Sequence, residues 1–432
     1  MVDKLVSGYG LVSRSFRLGA TEGDPRYPIF TASLGNPGEV LVNQKHWQHN
    51  PASGNFDGAG GSIDPAFALR LAVAESLERY SSCAWTEDAL VWATEEELGD
   101  ECISLSRWPR CSEREYVHPD SNLIAADPRI PLRWVKGWSV TRERSVYVPA
   151  VQVYLQFPAL TASERFTHPV STGCATHSSW ESAVVSGLVE VVERDSISLT
   201  WLQQLRLPEI DISTFPSSAE LDAYLAPQRA SHIRTRFFDA TTDFGIPVVY
   251  AVQLADHDPD LAQIVAATGC LSPVEGVKKL LRELASLRIA LRSFTGDIAK
   301  YRAEENITDV IGGALRQGRL DRRGVMSFLL DQRQPPRDVS TMPAVGNKRP
   351  LAWMVDKLDA AGAEAIVVDL TTDEARECGM KVVKVLVPEA MPLSFAHRSR
   401  YLGHPRLYAA PAAMGMSVHD EDDINSEAQP FA

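Results

Sequence analysis

Two stretches of the chain carry the same pattern, E-x-x-E-R: Glu75, Glu78 and Arg79 within Leu71–Ser81, and Glu190, Glu193 and Arg194 within Ser186–Ser196. On a helix, residues three apart share a face, so each copy sets two carboxylates side by side. Like charges at that distance repel, and water or a cation must offset the repulsion. If the two helices face each other, four carboxylates meet. That is a donor set for hard Mg2+, which takes oxygen ligands and leaves positions for a phosphate chain. A single E-x-x-E-R is most often a solvated face. Here Ala, Val and Leu frame both pairs without a charge run, and the pattern is duplicated, which weighs against two wet faces. Spacing alone leaves both readings open.

Both helices are announced by their flanks. Gly58-Ala59-Gly60-Gly61-Ser62 leads into Asp64-Pro65, an N-cap followed by proline at the first helical position. Such a glycine-rich loop can bring backbone N–H groups close to phosphates, although it matches neither the P-loop nor the dinucleotide fingerprint. Ser171-Thr172-Gly173-Cys174-Ala175 is a small-residue turn before the second helix, which Ser178 or Ser179 can cap. Cys174 fits a buried small hydrophobe better than a nucleophile, since no motif sets a His beside it. A third helix is expected from Val277 to Phe294, where Glu283 and Arg288 are ligand contacts or part of a solvated face. Asp243-Phe244-Gly245 resembles a kinase motif, but no H-R-D-x-x-x-x-N or V-A-I-K accompanies it, and Val248–Leu254 reads as a strand. A protein kinase is rejected. His46 and His49 read as a loop or core pair, because no third metal ligand follows.

The 432 residues suffice for two or three domain-sized cores or one large fold with insertions. A formal charge of −13 argues against a nucleic-acid partner. Six scattered cysteines without a C-x-x-C pair suit a reducing cytoplasm, and no signal segment or membrane-length apolar run is present. Short strands and loops are expected over 1–57 and a polar surface excursion over 87–130. Ser145–Tyr154 reads as an edge strand or bulge because of Pro149, with further strands at Ala365–Leu370 and Lys381–Pro388. The acidic end from His419 is expected to be disordered, with apolar last residues able to dock. Mixed elements throughout imply an α/β or α+β fold.

Taken in order, these stretches resemble the YcaO family over most of the chain. The resemblance rests on Gly60–Arg79, V-P-A (Val148–Ala150), S-T-G-C-A followed by E-V-V-E-R-D (Ser171–Asp195), D-F-G-I-P-V-V (Asp243–Val249), the third helix, V-V-D-L-T (Val367–Thr371), V-V-K-V-L-V-P (Val382–Pro388) and the P-F ending. It implies a YcaO-type ATP-binding fold with facing Glu-bearing helices and mixed sheets, as one domain over 1–432. Within it, 1–57 would be N-terminal strands and loops, 58–300 the ATP/Mg core, 301–418 a C-terminal lobe and 419–432 a tail. It further implies an ATP-dependent cyclodehydratase of a ribosomally made precursor peptide. A Cys, Ser or Thr side chain attacks the preceding carbonyl, and phosphorylation lets the amide oxygen leave, forming an azoline. Carried over by motif, Glu75, Glu78, Glu190 and Glu193 would hold Mg2+, with Glu78, Glu190 and Arg194 catalytic. Gly60, Gly61, Arg79, Ser171, Gly173, Arg194 and Arg288 would contact ATP, and the C-terminal carboxylate of Ala432 would lie at the site.

Three positions depart from the family pattern. The frequent G-K-G is Gly60-Gly61-Ser62 here, so one phosphate contact is absent or supplied elsewhere. Ser182 stands where a Glu often precedes Ala, and Glu181 lies about 100° away around the helix. In the tail, Asn425, Pro430 and Phe431 match the proline-rich ending of ring-forming members, whereas Ser426 and Ala428 replace prolines. The stretch before the glycine run is too short for a fused E1-like domain, so the resemblance implies a separate leader-binding partner, and a homodimer. A thioamide- or macroamidine-forming enzyme of the same family, or a non-catalytic scaffold subunit, are the alternatives.

Overall fold

The computed structural model describes residues 2–8, 10–45, 57–301, 307–332 and 335–431. His46, His49 and the terminal carboxylate of Ala432 lie outside the described residues.

Strands β1 (Arg14–Leu18), β2 (Ile29–Ser33) and β3 (Gly58–Gly61) form an antiparallel sheet in that order, with Phe30 opposite Gly60 and Thr31 opposite Ala59. The glycine run expected to be a loop is therefore an edge strand. Its glycines serve close packing. Helix α1 (Pro65–Cys83) lies against β3 so tightly that a Cβ at Gly58 would sit 2.1 Å from the Ala72 carbonyl oxygen, and one at Gly60 2.2 Å from that of Ala68. The Gly58 N–H donates to Ser76 Oγ (2.9 Å), which in turn donates to the Ala32 carbonyl (2.8 Å) and ties the helix to β2. Asp64 caps α1 by accepting from the Ala66 N–H at 2.9 Å, with Pro65 at the first position as the sequence announces.

Strands β4 (Val91–Ala93), β5 (Leu132–Ser139), β6 (Arg144–Pro149) and β7 (Cys174–His177) precede helix α2 (Trp180–Leu202), which Ser179 caps. An antiparallel sheet, β8 (Arg234–Asp239), β9 (Val248–Leu254) and β10 (Gln263–Gly269), then leads to helix α3 (Pro273–Arg292). Strands β11 (Ile366–Asp369) and β12 (Lys381–Leu386) complete a six-stranded antiparallel sheet ordered β4-β5-β11-β12-β7, with β6 on the other edge of β5. Antiparallel pairing of these strands with helices laid across them is an α+β arrangement. Helix α1 packs on β3 and β7, α2 on β7, β12 and β10, and α3 on β10 and β3. The two Glu helices thus share β7, and α3 bridges back to the glycine strand.

Two stretches pack more deeply than their composition suggests. The 87–130 excursion buries Ile103, Leu105, Trp108 and Leu123. The acidic tail is docked, because the last turn of α2 leaves carbonyls without helical partners. The Asn425 N–H donates to the Leu202 carbonyl (2.9 Å), Asn425 Nδ2 to that of Trp201 (3.1 Å), and Trp201 Nε1 to that of Glu427 (3.0 Å). Ala428 is buried, and Phe431 meets the Tyr250 ring edge-on at 5.4 Å. Among the described residues no helix is long and apolar enough to cross a membrane.

Candidate functional site

The first glutamate of each copy is held in the same way. Glu75 accepts from Arg79 Nη2 at 2.7 Å and, through its other oxygen, from the Ala59 N–H of β3 at 2.7 Å. Glu190 accepts from Arg194 Nη2 at 3.4 Å and from the Gly173 N–H at 3.1 Å. Gly173 lies at φ +84, and a Cβ there would be 2.1 Å from the Val385 carbonyl oxygen. Only glycine fits that turn without strain. Ser171 closes it, its carbonyl accepting the Cys174 N–H at 2.8 Å.

The second glutamates face inward. Burial holds the Glu78 carboxyl well above the usual carboxylate range, reinforced by Glu190 across the interface and by Glu75 beside it. Arg79 and a backbone bond from Thr176 of β7 act the other way. Glu193 is 5% exposed; it accepts from the Gly269 N–H at 3.2 Å and lies 3.5 Å from Arg194 Nη1. Lys279 Nζ of α3 stands 3.8 Å from Glu193 and 3.6 Å from Glu283.

Helix α3 supplies cations that the sequence did not single out. Arg282 Nη1 donates to the Gly61 carbonyl at 2.8 Å. A Cβ at Gly61 would meet Ile29 Cδ1 at 2.6 Å, so a side chain there requires Ile29 to turn aside. A guanidinium from α3 reaches the same residue. Arg288, the nucleotide candidate read from sequence, lies elsewhere. It is fully buried, donating to Gln253 Oε1 (2.8 Å) and the Leu261 carbonyl (3.0 Å) and pairing with Asp258 (3.3 Å). Glu181 is also outside, half-exposed and 3.9 Å from Arg349, while Ser182 is tied to the Ser179 cap.

Cys174 is buried, accepting from Ser82 Oγ at 3.2 Å, and burial pushes its thiol up to about 11, so it stays protonated at neutral pH. Asp243 and Phe244 belong to a packing knot behind the site. Arg406 stacks over Phe244 at 3.5 Å and binds Asp243 (2.9 Å) and the buried Asp195 next to Arg194 (2.5 Å).

The donor set suits Mg2+: carboxylate oxygens only, with Glu78 set among like charges that a divalent cation would relieve. The charges of Glu75 and Glu190 both reach Glu78, one along the helix and one across from it. Among the described residues no three Asp, Glu, His or Cys side chains stand close enough to hold a metal ion. Arg79 and Arg194 each pair with one oxygen of Glu75 and Glu190.

A family model described as "YcaO cyclodehydratase, ATP- and Mg2+-binding" matches residues 59–391. An uncharacterised protein of Methanothermobacter thermautotrophicus is 28% identical over 342 residues, covering 76% of this chain and 80% of that one. Among solved structures, a heterocyclase in complex with substrate and cofactor aligns over the whole chain at 22% identity and a TM-score of 0.79. This chain spans only 56% of that protein's length. YcaO from Methanopyrus kandleri, bound with AMPPCP and Mg2+, aligns over 88% of this chain and 86% of its own at 20% identity and a TM-score of 0.58. At these identities the structural matches establish the fold.

Proposed function

The chain belongs to the YcaO family, whose ligands are ATP and Mg2+, and we propose that it is a cyclodehydratase converting Cys, Ser or Thr of a ribosomally made peptide to azolines. The observation that carries the reading is the mirrored pair Glu75–Arg79 and Glu190–Arg194, flanking the inward-facing Glu78.

Glu75, Glu78, Glu190 and Glu193 would hold Mg2+, which supplies charge neutralisation along a phosphate chain. The chain's own work is positioning. Arg79 and Arg194 orient the first glutamate of each pair. Lys279 and Arg282 bring positive charge from α3 to Glu193 and to the Gly61 end of β3, and Gly173 fixes the turn on Glu190. In the proposed reaction the peptide thiol or hydroxyl loses its proton as it adds to the preceding carbonyl carbon, and the former carbonyl oxygen takes the terminal phosphoryl group of ATP, releasing ADP. Phosphate then leaves with that oxygen as the amide nitrogen gives up its proton and forms the ring C=N bond. No covalent enzyme intermediate is needed, which agrees with the buried, protonated Cys174. A separate leader-binding partner completes the proposed assembly.

The test is intact-mass spectrometry of a precursor peptide incubated with this protein, its leader-binding partner, ATP and Mg2+. The reading expects ATP-dependent loss of one water per modified residue, with fragmentation placing each ring at Cys, Ser or Thr. Exchange of oxygen for sulfur when sulfide is supplied would assign thioamidation instead. An unchanged peptide without ATP turnover would assign the scaffold role.

A further inference from the structure

A cleft of ≈ 550 Å³ opens beside the turn that holds Glu190, between residues 168–170, 307–310 and 393–401. Both walls run into the site within a few residues. Val170 leads directly to Ser171–Gly173, whose last N–H is bonded to Glu190. Leu393 follows by two residues Met391, whose N–H donates to Asp195 Oδ1 at 2.7 Å, next to Arg194. The buried Lys384 fixes the first wall by donating from Nζ to the Val170 carbonyl at 2.6 Å.

The charges in the cleft are already compensated. Asp120 pairs with Arg398 at 3.2 Å. Asp309 accepts from the Tyr301 hydroxyl (2.7 Å) and from the N–H groups of Ile311 (3.1 Å) and Gly312 (2.8 Å). The remaining lining mixes an apolar floor, from Val170, Ile307, Val310, Leu393 and Phe395, with neutral polar side chains that include Asn122, Thr308, Ser394 and Ser399. A charged guest would lose hydration there without gaining a partner. A neutral, small chain would not. The volume lies within the roughly 300–1,000 Å³ usual for ligand pockets.

We infer that this cleft seats a short, neutral, extended segment of the peptide substrate flanking the residue being modified; this rests on the azoline-forming reading. The peptide backbone finds hydrogen-bonding groups at Asn122 and Thr308, and its small side chains lie on the Val170–Phe395 floor.

The test uses the full chain with ATP, Mg2+ and a benzophenone-bearing peptide of Gly, Ser and Cys, and maps photo-crosslinks by mass spectrometry. A control peptide carries Lys and Asp in place of the Ser residues, and ATP binding is titrated in parallel. The inference expects crosslinks within 168–170, 307–310 and 393–396. It expects them to fall at least tenfold with the charged peptide and in Ala396→Trp or Thr308→Trp, whose ATP binding stays at the wild-type level. With ATP binding intact, the cleft assignment alone is overturned by crosslinks elsewhere, by crosslinks to a second copy of the chain, or by equal labelling in the tryptophan variants. Failure of the wild-type chain to bind ATP would overturn the azoline-forming reading and the cleft with it.

Discussion

Glu75 and Glu190, 115 positions apart in sequence, have the same two partners: an arginine four residues onward and one backbone N–H from the segment preceding their helix. In both, the carboxylate is fixed at two oxygens before any ligand arrives. Preorganisation of this kind lowers the ordering required when a cation and its phosphates bind.

Arg282 is predicted to bind the nucleotide side of the site. Arg282→Ala should weaken ATP binding by about tenfold, equivalent to ~1.4 kcal/mol, and leave the circular-dichroism spectrum unchanged. Arg288→Ala should do the reverse: a large loss of stability from stranding buried carboxylates. Calorimetric ATP titration beside urea unfolding separates the two. Equal ATP affinity in wild type and Arg282→Ala would remove α3 from the site.

Gly173→Ala should be severely destabilising, because the new Cβ meets the Val385 carbonyl oxygen at 2.1 Å in a left-handed turn. A loss of at least ~2 kcal/mol is expected from strain of this kind. Urea unfolding measures it. Gly99→Ala, at a positive φ but with open space around it, should cost less.

His404 is predicted to make the fold acid-labile. Burial holds its imidazole down at about 4, below the ordinary 6.5. Between those values it is neutral when folded and charged when unfolded, so the unfolded chain binds more protons. Its contribution is complete above pH 6.5 and is lost as pH falls toward 4, by up to roughly 3 kcal/mol. Denaturant unfolding from pH 7 to 5 should show a shallower decline in His404→Gln than in wild type. Parallel declines would remove His404 as the cause.

Phe431→Ala should release the tail. A buried mid-chain Phe→Ala costs roughly 3–5 kcal/mol, and the loss here should be smaller because a terminal segment can detach by itself. Hydrogen exchange should quicken at the amides of Asn425 and Glu427 while the α2 core is unchanged. Unaltered exchange there would show that Phe431 does not anchor the tail.

Local signals and tertiary ones divide what the sequence could show. Asp64-Pro65 and Ser179 mark helix starts through groups adjacent in the chain, and both helices begin there. The glycine run reads locally as a loop able to approach phosphates, whereas it is a strand paired with β2, and its glycines admit α1. On α3 the amphipathic pattern gives a helix, yet which basic residue reaches the site depends on how α3 is turned against β3. Arg282 meets Gly61 and Arg288 meets Asp258. The tail's acidic residues suggested disorder, whereas its docking depends on the carbonyls and indole at the end of α2. Such pairings across the chain leave no mark in local composition.

The most direct test of the account titrates ATP, with and without Mg2+, into wild type, Glu190→Gln and Glu181→Gln by calorimetry. The account predicts Mg2+-dependent binding in wild type and in Glu181→Gln, and a loss of at least tenfold in Glu190→Gln with its fold intact. Equal ATP affinity in Glu190→Gln and wild type would contradict the assignment of the paired glutamates as the ATP–Mg2+ site.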